Sequence, residues 1–386
     1  MTDFRVMVFA CLFLSIIQIS MGLVFPALPT IAEDFDISLD NAQLLITAYL
    51  FGFGPSQFVY GPLSDALGRK NVVVAGLLIS IFGLWLIIFK NEVLWWTLTG
   101  RFLQGLGMGC CLVLAAAIVR DRFRDYQLPA VFSQITIVIS IVPMIAPLLG
   151  GMINEYIGWL GIFLVLVVYV IMVCVAVACC FQETMPRLRR IPKLKQVFKQ
   201  YGLMLTSRYF MSFALLGWLN FSLLITMISV LSFIMQNQIG MTSDEYAIWA
   251  LIPAFGPFIG AYISRRTLPV IGNKRLLSIA YCCHISSAIW LFCCPVGPFF
   301  LMFGLFLMVL GNGISGPCIQ ALVIKPYKKD AGAASAMVGG GEMIMAALFS
   351  QLLVFFGVNE VWHLSWVIGG CALIAFVVLS RPPWQL

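Results

Sequence analysis

Charge and histidine are scarce in this chain. Only 10% of its 386 residues are Asp, Glu, Lys or Arg, and it has just two histidines. Apolar residues make up 61%, which is more apolar surface than a water-soluble domain of this length could bury. The shortage of polar sequence excludes a soluble domain with a basic face, so the net charge of +7 does not indicate a nucleic-acid-binding protein.

Catalytic motifs are also missing. The sequence has no H-E-x-x-H, no G-x-S-x-G and no G-x-x-x-x-G-K-[ST], so we expect no enzyme, no cofactor and no ATP-driven pump. Its twelve cysteines stand singly or as adjacent pairs within apolar runs, and adjacent residues point to different helix faces. This favours apolar packing over a metal site. We interpret His284 and His363 as structural, although His284 could titrate.

Twelve apolar runs, each long enough to cross roughly 30 Å of hydrocarbon as a helix, fill most of the chain. They cover approximately residues 5–26, 41–60, 72–89, 94–119, 129–151, 160–181, 207–235, 245–263, 275–294, 298–324, 332–357 and 364–380. They do not alternate polar and apolar residues as barrel strands do, and the first is too long for a cleaved signal peptide. The sequence therefore predicts an all-α integral membrane protein with twelve transmembrane helices in two six-helix halves.

One long basic loop separates the first six runs from the last six. The predicted domains are a first half at 1–181, a linker at 182–206 and a second half at 207–386. The linker is either solvated or lies partly on the anionic leaflet as an amphipathic segment. Nearly all of the 23 Lys and Arg residues fall on the cytoplasmic side if both termini are cytoplasmic, which predicts that orientation in an inner membrane.

A polar island, GPLSDALGRK at Gly61–Lys70, lies between the second and third runs. Gly61 and the following proline should end one helix, and Gly68 should permit a tight reversal that fixes Asp65 at the cytoplasmic surface. A loop that only sets topology would explain the basic residues but not the aspartate or the glycines. GAYISRRTLPVIGNKR at Gly260–Arg275 repeats the island in degraded form, with Ser264 in place of the aspartate.

The chain resembles the major facilitator superfamily, and within it the drug/proton antiporters of the Bcr/CflA and multidrug resistance protein D type. The residues that carry the resemblance are GPLSDALGRK (Gly61–Lys70), FPALP (Phe25–Pro29), RFLQGLGMG (Arg101–Gly109), VPMIAPLLGG (Val142–Gly151) and QETMP (Gln182–Pro186). The resemblance runs from end to end and is strongest in the first half. It implies a monomer with two related halves and a small-molecule site near the membrane midplane.

The resemblance also assigns roles to particular residues. It implies a cytoplasmic gate built from Gly61, Asp65, Gly68, Arg69, Lys70 and Arg120, and a kinked antiporter-motif helix marked by Pro143, Pro147, Gly150 and Gly151. It places Arg101 in the proton-coupling apparatus. Relatives of the Bcr type commonly carry an acid in the first span where this chain has Gly22, so the proton site does not transfer residue by residue.

Two ionisable residues lie inside predicted spans. Arg101 costs at least about 2.5 kcal/mol in hydrocarbon unless it meets water or a partner, so it should face the interior, or else snorkel to the outer surface. Glu342, near the middle of the eleventh span, is a candidate proton carrier because a carboxyl in hydrocarbon is more stable protonated. The alternatives are a neutral, hydrogen-bonded carboxyl that serves packing, or a pair with Arg101.

The substrate pocket is predicted from polar residues in the first span of each half. Gln18 and Asn220 are the candidates, with Tyr49 and Phe221 as aromatic walls. We expect a proton-coupled exporter of small amphipathic or cationic compounds. A carrier of a specific metabolite or siderophore, in either direction, is the alternative, and a receptor that does not transport is a third.

Overall fold

A computed structural model describes residues 2–124, 127–128, 131–132, 134–135, 138, 141–185, 194–356 and 360–380. Within these residues the chain forms helices joined by short turns. The α-helices are α1 Asp3–Gly22, α2 Leu28–Asp34, α3 Leu39–Leu67, α4 Arg69–Phe89, α5 Leu94–Arg122, α6 Val142–Ile157, α7 Trp159–Cys180, α8 Leu194–Thr206, α9 Arg208–Phe233, α10 Ser243–Trp249, α11 Leu251–Ala254, α12 Gly256–Cys293, α13 Pro298–Ile324, α14 Ala331–Phe355 and α15 Val361–Ser380. Short 3₁₀ helices at Phe25–Ala27 and Lys325–Asp330 and a π-helical turn at Ile234–Gln238 complete them.

The helices account for the predicted spans. Nine stretches of the described residues are long and apolar enough to cross a membrane. One of them, Ser243–Cys293, has 51 residues and contains two predicted spans. The 29-residue α3 covers the second predicted span, and the 16-residue α6 overlaps the fifth.

The fifth predicted span differs most from the structure. We expected it to end at residue 151, but α6 continues to Ile157, and residues 129–140 are only partly described. Within the extension Asn154 is buried, and its amide Nδ2 donates a 2.8 Å hydrogen bond to Thr30 Oγ1. This bond links the extended end of α6 to α2 and gives a buried donor the partner that it needs.

The chain divides into two compact units, residues 1–197 and 198–386. The predicted boundaries at 1–181, 182–206 and 207–386 stay a prediction. The basic residues Arg187, Arg189, Arg190 and Lys193 of the predicted linker lie outside the described residues.

In the first unit, α5 packs closely against α3 on one side and α4 on the other. A Cβ at Gly105 would overlap the backbone carbonyl of Tyr49 on α3, and a Cβ at Gly107 would overlap the carbonyl of Gly76 on α4. Helices in lipid associate through such close backbone contacts, because hydrocarbon tails are as apolar as leucine. The glycines of the RFLQGLGMG motif therefore join three helices.

The two loops that we compared in the sequence form the same kind of turn. Gly68, with φ 91°, separates α3 from α4, and Gly272, with φ 76°, interrupts α12 between its two predicted spans. Both glycines have left-handed backbone angles that side chains disfavour. The prediction that Gly61 and Pro62 end a helix is wrong, since α3 continues through both to Leu67. A proline removes only one backbone donor, and the helix bends rather than stops.

In the second unit, α12 packs along α13 and α15, and α9 packs along α14. Its buried core includes Leu223, Met227 and Leu231 of α9 together with Met308 of α13 and Ile368 of α15. The polar residues described below lie on α9, α12, α13 and α14, so these four helices position the second unit's site residues.

The packing at Gly105 predicts a loss of stability on adding one methyl group. Gly105→Ala should lower the unfolding free energy in detergent by about 1–3 kcal/mol, because the new Cβ must push α3 away from α5. Gly370→Ala on α15 is the matched control, since nothing lies within 4 Å of a Cβ there. Thermal unfolding measures both. An unchanged or higher melting temperature for Gly105→Ala would contradict the close contact.

Candidate functional site

A buried arginine organises the end of the first unit where α3 meets α4. The guanidinium of Arg69 lies 2.6 Å from Asp65 of α3 and 3.0 Å from Asp121 near the end of α5. It also donates a 2.5 Å hydrogen bond to Ser64 Oγ. We name Ser64, Asp65, Arg69, Asp121 and Glu183 the Arg69 cluster. Two carboxylates on two helices thus share one cation, which ties α3, α4 and α5 together.

Glu183 completes the Arg69 cluster by capping α4. Its two carboxylate oxygens accept hydrogen bonds of 3.1 Å each from the backbone N–H groups of Arg69 and Lys70. These are the first two residues of the helix, whose N–H groups have no partner within the helix. Gly68 precedes them and offers no side-chain cap, so the acid that follows α7 takes that role. A carboxylate at a helix N-terminus is also favoured by the helix dipole.

Sequence reasoning found Asp65 but missed Asp121 and Glu183. Asp65 and Arg69 are four residues apart, whereas Asp121 and Glu183 lie 52 and 114 residues from Arg69 along the chain. The other predicted gate residues take little part in this arrangement. Lys70 contributes its backbone N–H to Glu183, and Arg120 is exposed and makes no ion pair with any described residue. Gly61 packs loosely, since a Cβ built there would lie 3.6 Å from Val113.

A second buried arginine lies inside the first unit. Arg101 of α5 is completely buried, which rules out the snorkelling alternative. It donates hydrogen bonds to Gln104 Oε1 at 2.7 Å, to the carbonyl of Ser20 at 3.3 Å and to that of Leu45 at 3.4 Å. The guanidinium carbon lies 4.7 Å from the centre of the Tyr49 ring, a cation–π distance. Backbone carbonyls and one aromatic face therefore solvate this cation.

Several polar atoms around Arg101 have no hydrogen-bond partner in the described part of the chain. They include Arg101 Nη2, Gln104 Nε2, Ser20 Oγ and Tyr49 OH, all of them buried. A buried polar group left without a partner costs about 1–3 kcal/mol. Such groups are rare in folded proteins, and a cluster of them around a buried charge marks a candidate functional site.

Glu342 lies near the middle of α14, in contact with α9. Its Oε1 is 3.3 Å from a Cβ built on Gly217, so the absence of a side chain there makes room for the carboxyl. One residue earlier on α14, Gly341 accommodates the indole ring of Trp218, and Trp218 Nε1 donates a 3.1 Å hydrogen bond to the carbonyl of Val338. Glu342 is partly exposed, and no described residue pairs with its carboxylate.

A connected set of polar side chains crosses the second unit. We name His284 of α12, Asn312 and Ser315 of α13 and Asn220 of α9 the His284 network. His284 contacts Asn312, Asn312 contacts the backbone of Asn220, and the amide of Asn220 donates to Ser315 at 2.9 Å. The sequence gave no sign of this network, because its members come from three helices.

The antiporter-motif residues lie along α6. Pro143 falls in the first turn, where a missing N–H costs nothing, so Pro147 is the proline that lies in the interior of α6. Gly150 and Gly151 are buried, and a Cβ at Gly150 would overlap the backbone of Leu23. The helix therefore approaches the end of α1 at van der Waals distance.

The predicted pocket residues lie in different surroundings. Tyr49 is buried beneath Arg101, Asn220 belongs to the His284 network, Gln18 is exposed on α1, and Phe221 is partly exposed on α9. Gly22 is also packed, since a Cβ there would meet Ala146 at 2.7 Å. A longer side chain at that position would collide with α6. The pocket role of these residues stays a prediction.

Comparisons with known proteins agree with the fold and the motifs. A model of the Major Facilitator Superfamily matches residues 8–350. Multidrug resistance protein MdtL of Citrobacter koseri is 28% identical, over 98% of this chain and 95% of the relative. A bicyclomycin resistance protein homolog of Haemophilus influenzae is 23% identical, over 91% and 89%. The crystal structure of the human organic anion transporter MFSD10 aligns with a TM-score of 0.74 at 16% identity, over 98% of this chain and 100% of that one, which shows a shared fold.

Apolar helices that enclose buried charges, in a chain matching transporters along nearly its whole length, define a multi-pass membrane transporter rather than an enzyme. The chain belongs to the Major Facilitator Superfamily, and its fold is the twelve-helix fold of that family. The resemblance noted in the sequence is thereby confirmed, and so is its Bcr-type relationship.

We predict that the two acids paired with the Arg69 guanidinium stabilise the protein more than an exposed ion pair does. Asp121→Asn should lower the unfolding free energy by about 1–3 kcal/mol, since Arg69 is buried and loses a charged partner. Asp3→Asn is the matched control, because it removes an ion pair with Arg122 in which Arg122 is 49% exposed and Asp3 is 59% exposed. It should lower the unfolding free energy by less than about 1 kcal/mol. Thermal unfolding in detergent compares the two. Equal shifts would contradict the role assigned to Asp121.

Proposed function

We propose that this protein is a proton-coupled antiporter that exports small amphipathic or cationic compounds by alternating access, and that it acts in multidrug efflux. The observation that carries the proposal is Glu342, a partly exposed carboxyl without a described partner in the middle of a membrane helix. Ionisable groups at that depth are expensive and are kept where transport uses them. The printed names of the relatives, a multidrug resistance protein and a bicyclomycin resistance protein homolog, support drugs as cargo.

Glu342 fits a proton carrier that also meets a cationic substrate. Its Oε1 lies against Gly217, and among the described residues no cation forms an ion pair with it, so no described ion pair compensates a negative charge. The carboxyl is neutral when it holds a proton and is most easily deprotonated when a cation approaches. Proton release and binding of a cation then favour each other, which is the linkage that an antiporter needs.

Arg101 supplies a fixed positive charge in the first half. In the part of the chain that the structure describes, one nitrogen of its guanidinium has no partner, and Gln104, Ser20 and Tyr49 each have one polar atom without a partner. A proton-linked change that brings an acceptor to Nη2 would satisfy that nitrogen. This supports a coupling role for Arg101, in agreement with the role that the family resemblance implies.

The Arg69 cluster supports a gate. Its ion pairs bind α3, α4 and α5 at one end of the first half, and their partners are partly exposed, so they can break and re-form in water at modest cost. We assign this end to the cytoplasmic side, with both termini cytoplasmic and residues 182–206 as the linker. The protein would then act as a monomer in the inner membrane, with protons, lipid and a small molecule as its partners.

Export is tested in a bacterial host that lacks its own efflux pumps. Cells that express the protein should tolerate higher concentrations of cationic dyes and amphipathic antibiotics and should accumulate less dye. Collapse of the proton gradient with an uncoupler should remove the difference, because the gradient supplies the energy. Unchanged tolerance across the panel, with growth that depends on a nutrient instead, would favour the uptake alternative.

Glu342→Gln should abolish pH-driven transport of an exported dye in everted vesicles, down to the level of empty vesicles. Glutamine has the size of a protonated glutamate but cannot release a proton, so dye-for-dye exchange across the membrane should survive. Glu155→Gln, at an exposed position on α6, is the matched control and should transport normally. Normal pH-driven transport in Glu342→Gln would remove this carboxyl from the mechanism.

A further inference from the structure

The heavy-atom contacts of the His284 network call for one more N–H than its neutral side chains can supply. His284 is 1% exposed, with Nδ1 2.9 Å from the carbonyl oxygen of Ala280 and Nε2 3.0 Å from Asn312 Oδ1. On its other side, Asn312 Nδ2 donates to the carbonyl oxygen of Asn220 at 3.3 Å. His284 and Asn312 are therefore held between two backbone carbonyls, which can only accept.

Each of the three contacts needs one hydrogen between its two heavy atoms: Ala280 with Nδ1, Nε2 with Asn312, and Asn312 with Asn220. The Ala280 carbonyl requires a hydrogen on Nδ1, and the Asn220 carbonyl requires the NH₂ end of Asn312. The oxygen end of Asn312 then faces Nε2, which must carry a hydrogen as well. A neutral imidazole has only one N–H, so the arrangement is satisfied by an imidazolium that donates from both nitrogens.

Reassigning the amide does not remove the requirement. If the two ends of Asn312 are exchanged, its NH₂ donates to a neutral Nε2, but its oxygen then faces the carbonyl of Asn220 at 3.3 Å. Two acceptors in contact are repulsive, and the hydrogen bond to Asn220 is lost. Turning the His284 ring over would place carbon atoms against both oxygens and break two hydrogen bonds. The imidazolium is therefore the form that keeps all three contacts as hydrogen bonds.

Two carbonyl contacts, an aromatic ring and a glycine surround His284. The Tyr281 ring centre lies 5.3 Å from that of His284, and Gly311 of α13 sits against the imidazole. The other titratable groups near this pair are Cys318 of α13 and Cys371 of α15, which interact with Tyr281. Among the described residues no carboxylate forms an ion pair with His284.

We propose that His284 is a proton-binding site within the membrane, occupied in this conformation, and that its proton holds Asn312 against Asn220. When Nε2 gives its proton to solvent on the side of the partly exposed Asn312, Nε2 becomes an acceptor facing an acceptor, so Asn312 turns and releases the Asn220 carbonyl of α9. The site is distinct from Glu342 and does not depend on which compound is carried.

Nitrogen-15 NMR of the purified full-length protein with labelled histidine tests the proposal directly. The chain has two histidines, so His363→Asn leaves the signal of His284 alone. At neutral pH we expect both ring nitrogens to show the shifts of N–H groups. A single protonated nitrogen throughout the range in which the protein stays folded would overturn the proposal.

Asn312→Leu in the same background should convert the ring to the neutral form with its proton on Nδ1, because the acceptor for Nε2 is lost. Gln320→Leu, an exposed amide two turns further along α13, is the matched control and should leave the spectrum unchanged. A doubly protonated ring in Asn312→Leu would also contradict the proposal. Glu342→Gln should not alter these signals, so failure of the efflux proposal and failure of this one are distinguishable.

Discussion

The close approach of α5 to its neighbours is the constraint on which the first half depends. Within lipid no hydrophobic force draws helices together, so side-chain size at the interface decides how near the backbones come. Gly105 removes a side chain on the face of α5 that meets α3, and the carbonyl of Leu45 on α3 lies 3.4 Å from Arg101 of α5. The carbonyl of Ser20 on α1 lies 3.3 Å from the same guanidinium. A wider spacing between α3 and α5 would remove the hydrogen bond from Arg101 to the Leu45 carbonyl. The burial of this charge therefore depends on the close packing of the two helices.

The three charged sites differ in how completely they are paired, and the difference matches the roles proposed for them. Two carboxylates and a hydroxyl surround the Arg69 guanidinium, so all of its contacts must break together for α3, α4 and α5 to separate. Arg101 has three acceptors but leaves Nη2 without a partner. Glu342 has no described partner. A group whose charge is uncompensated responds most strongly to a proton or a ligand, whereas a fully paired group responds least.

The sequence predicted what depends on composition and local spacing. The twelve spans follow from apolar length, the burial of Arg101 from the cost of a charge in hydrocarbon, and the tight turn at Gly68 from the glycine in the polar island. It did not predict Asp121, Glu183 or the His284 network, since those contacts join residues from distant helices. The error at Pro62 has a different origin: proline disfavours a helix interior, but it does not prevent one when flanking residues keep their hydrogen bonds.

The loops at Gly61–Lys70 and Gly260–Arg275 show which features the two halves share and which occur in the first half alone. Gly272 keeps the left-handed turn of Gly68, so the turn belongs to the shared architecture. Ser264 replaces the aspartate and is buried, while the basic residues Arg265, Lys274 and Arg275 are exposed, so an ion-pair cluster like that of Arg69 does not form among these residues. Among the described residues, the second half instead carries Glu342, which forms no ion pair, and the His284 network. A repeated fold does not require this asymmetry, so the two halves share the turn but differ in their charged and polar sites.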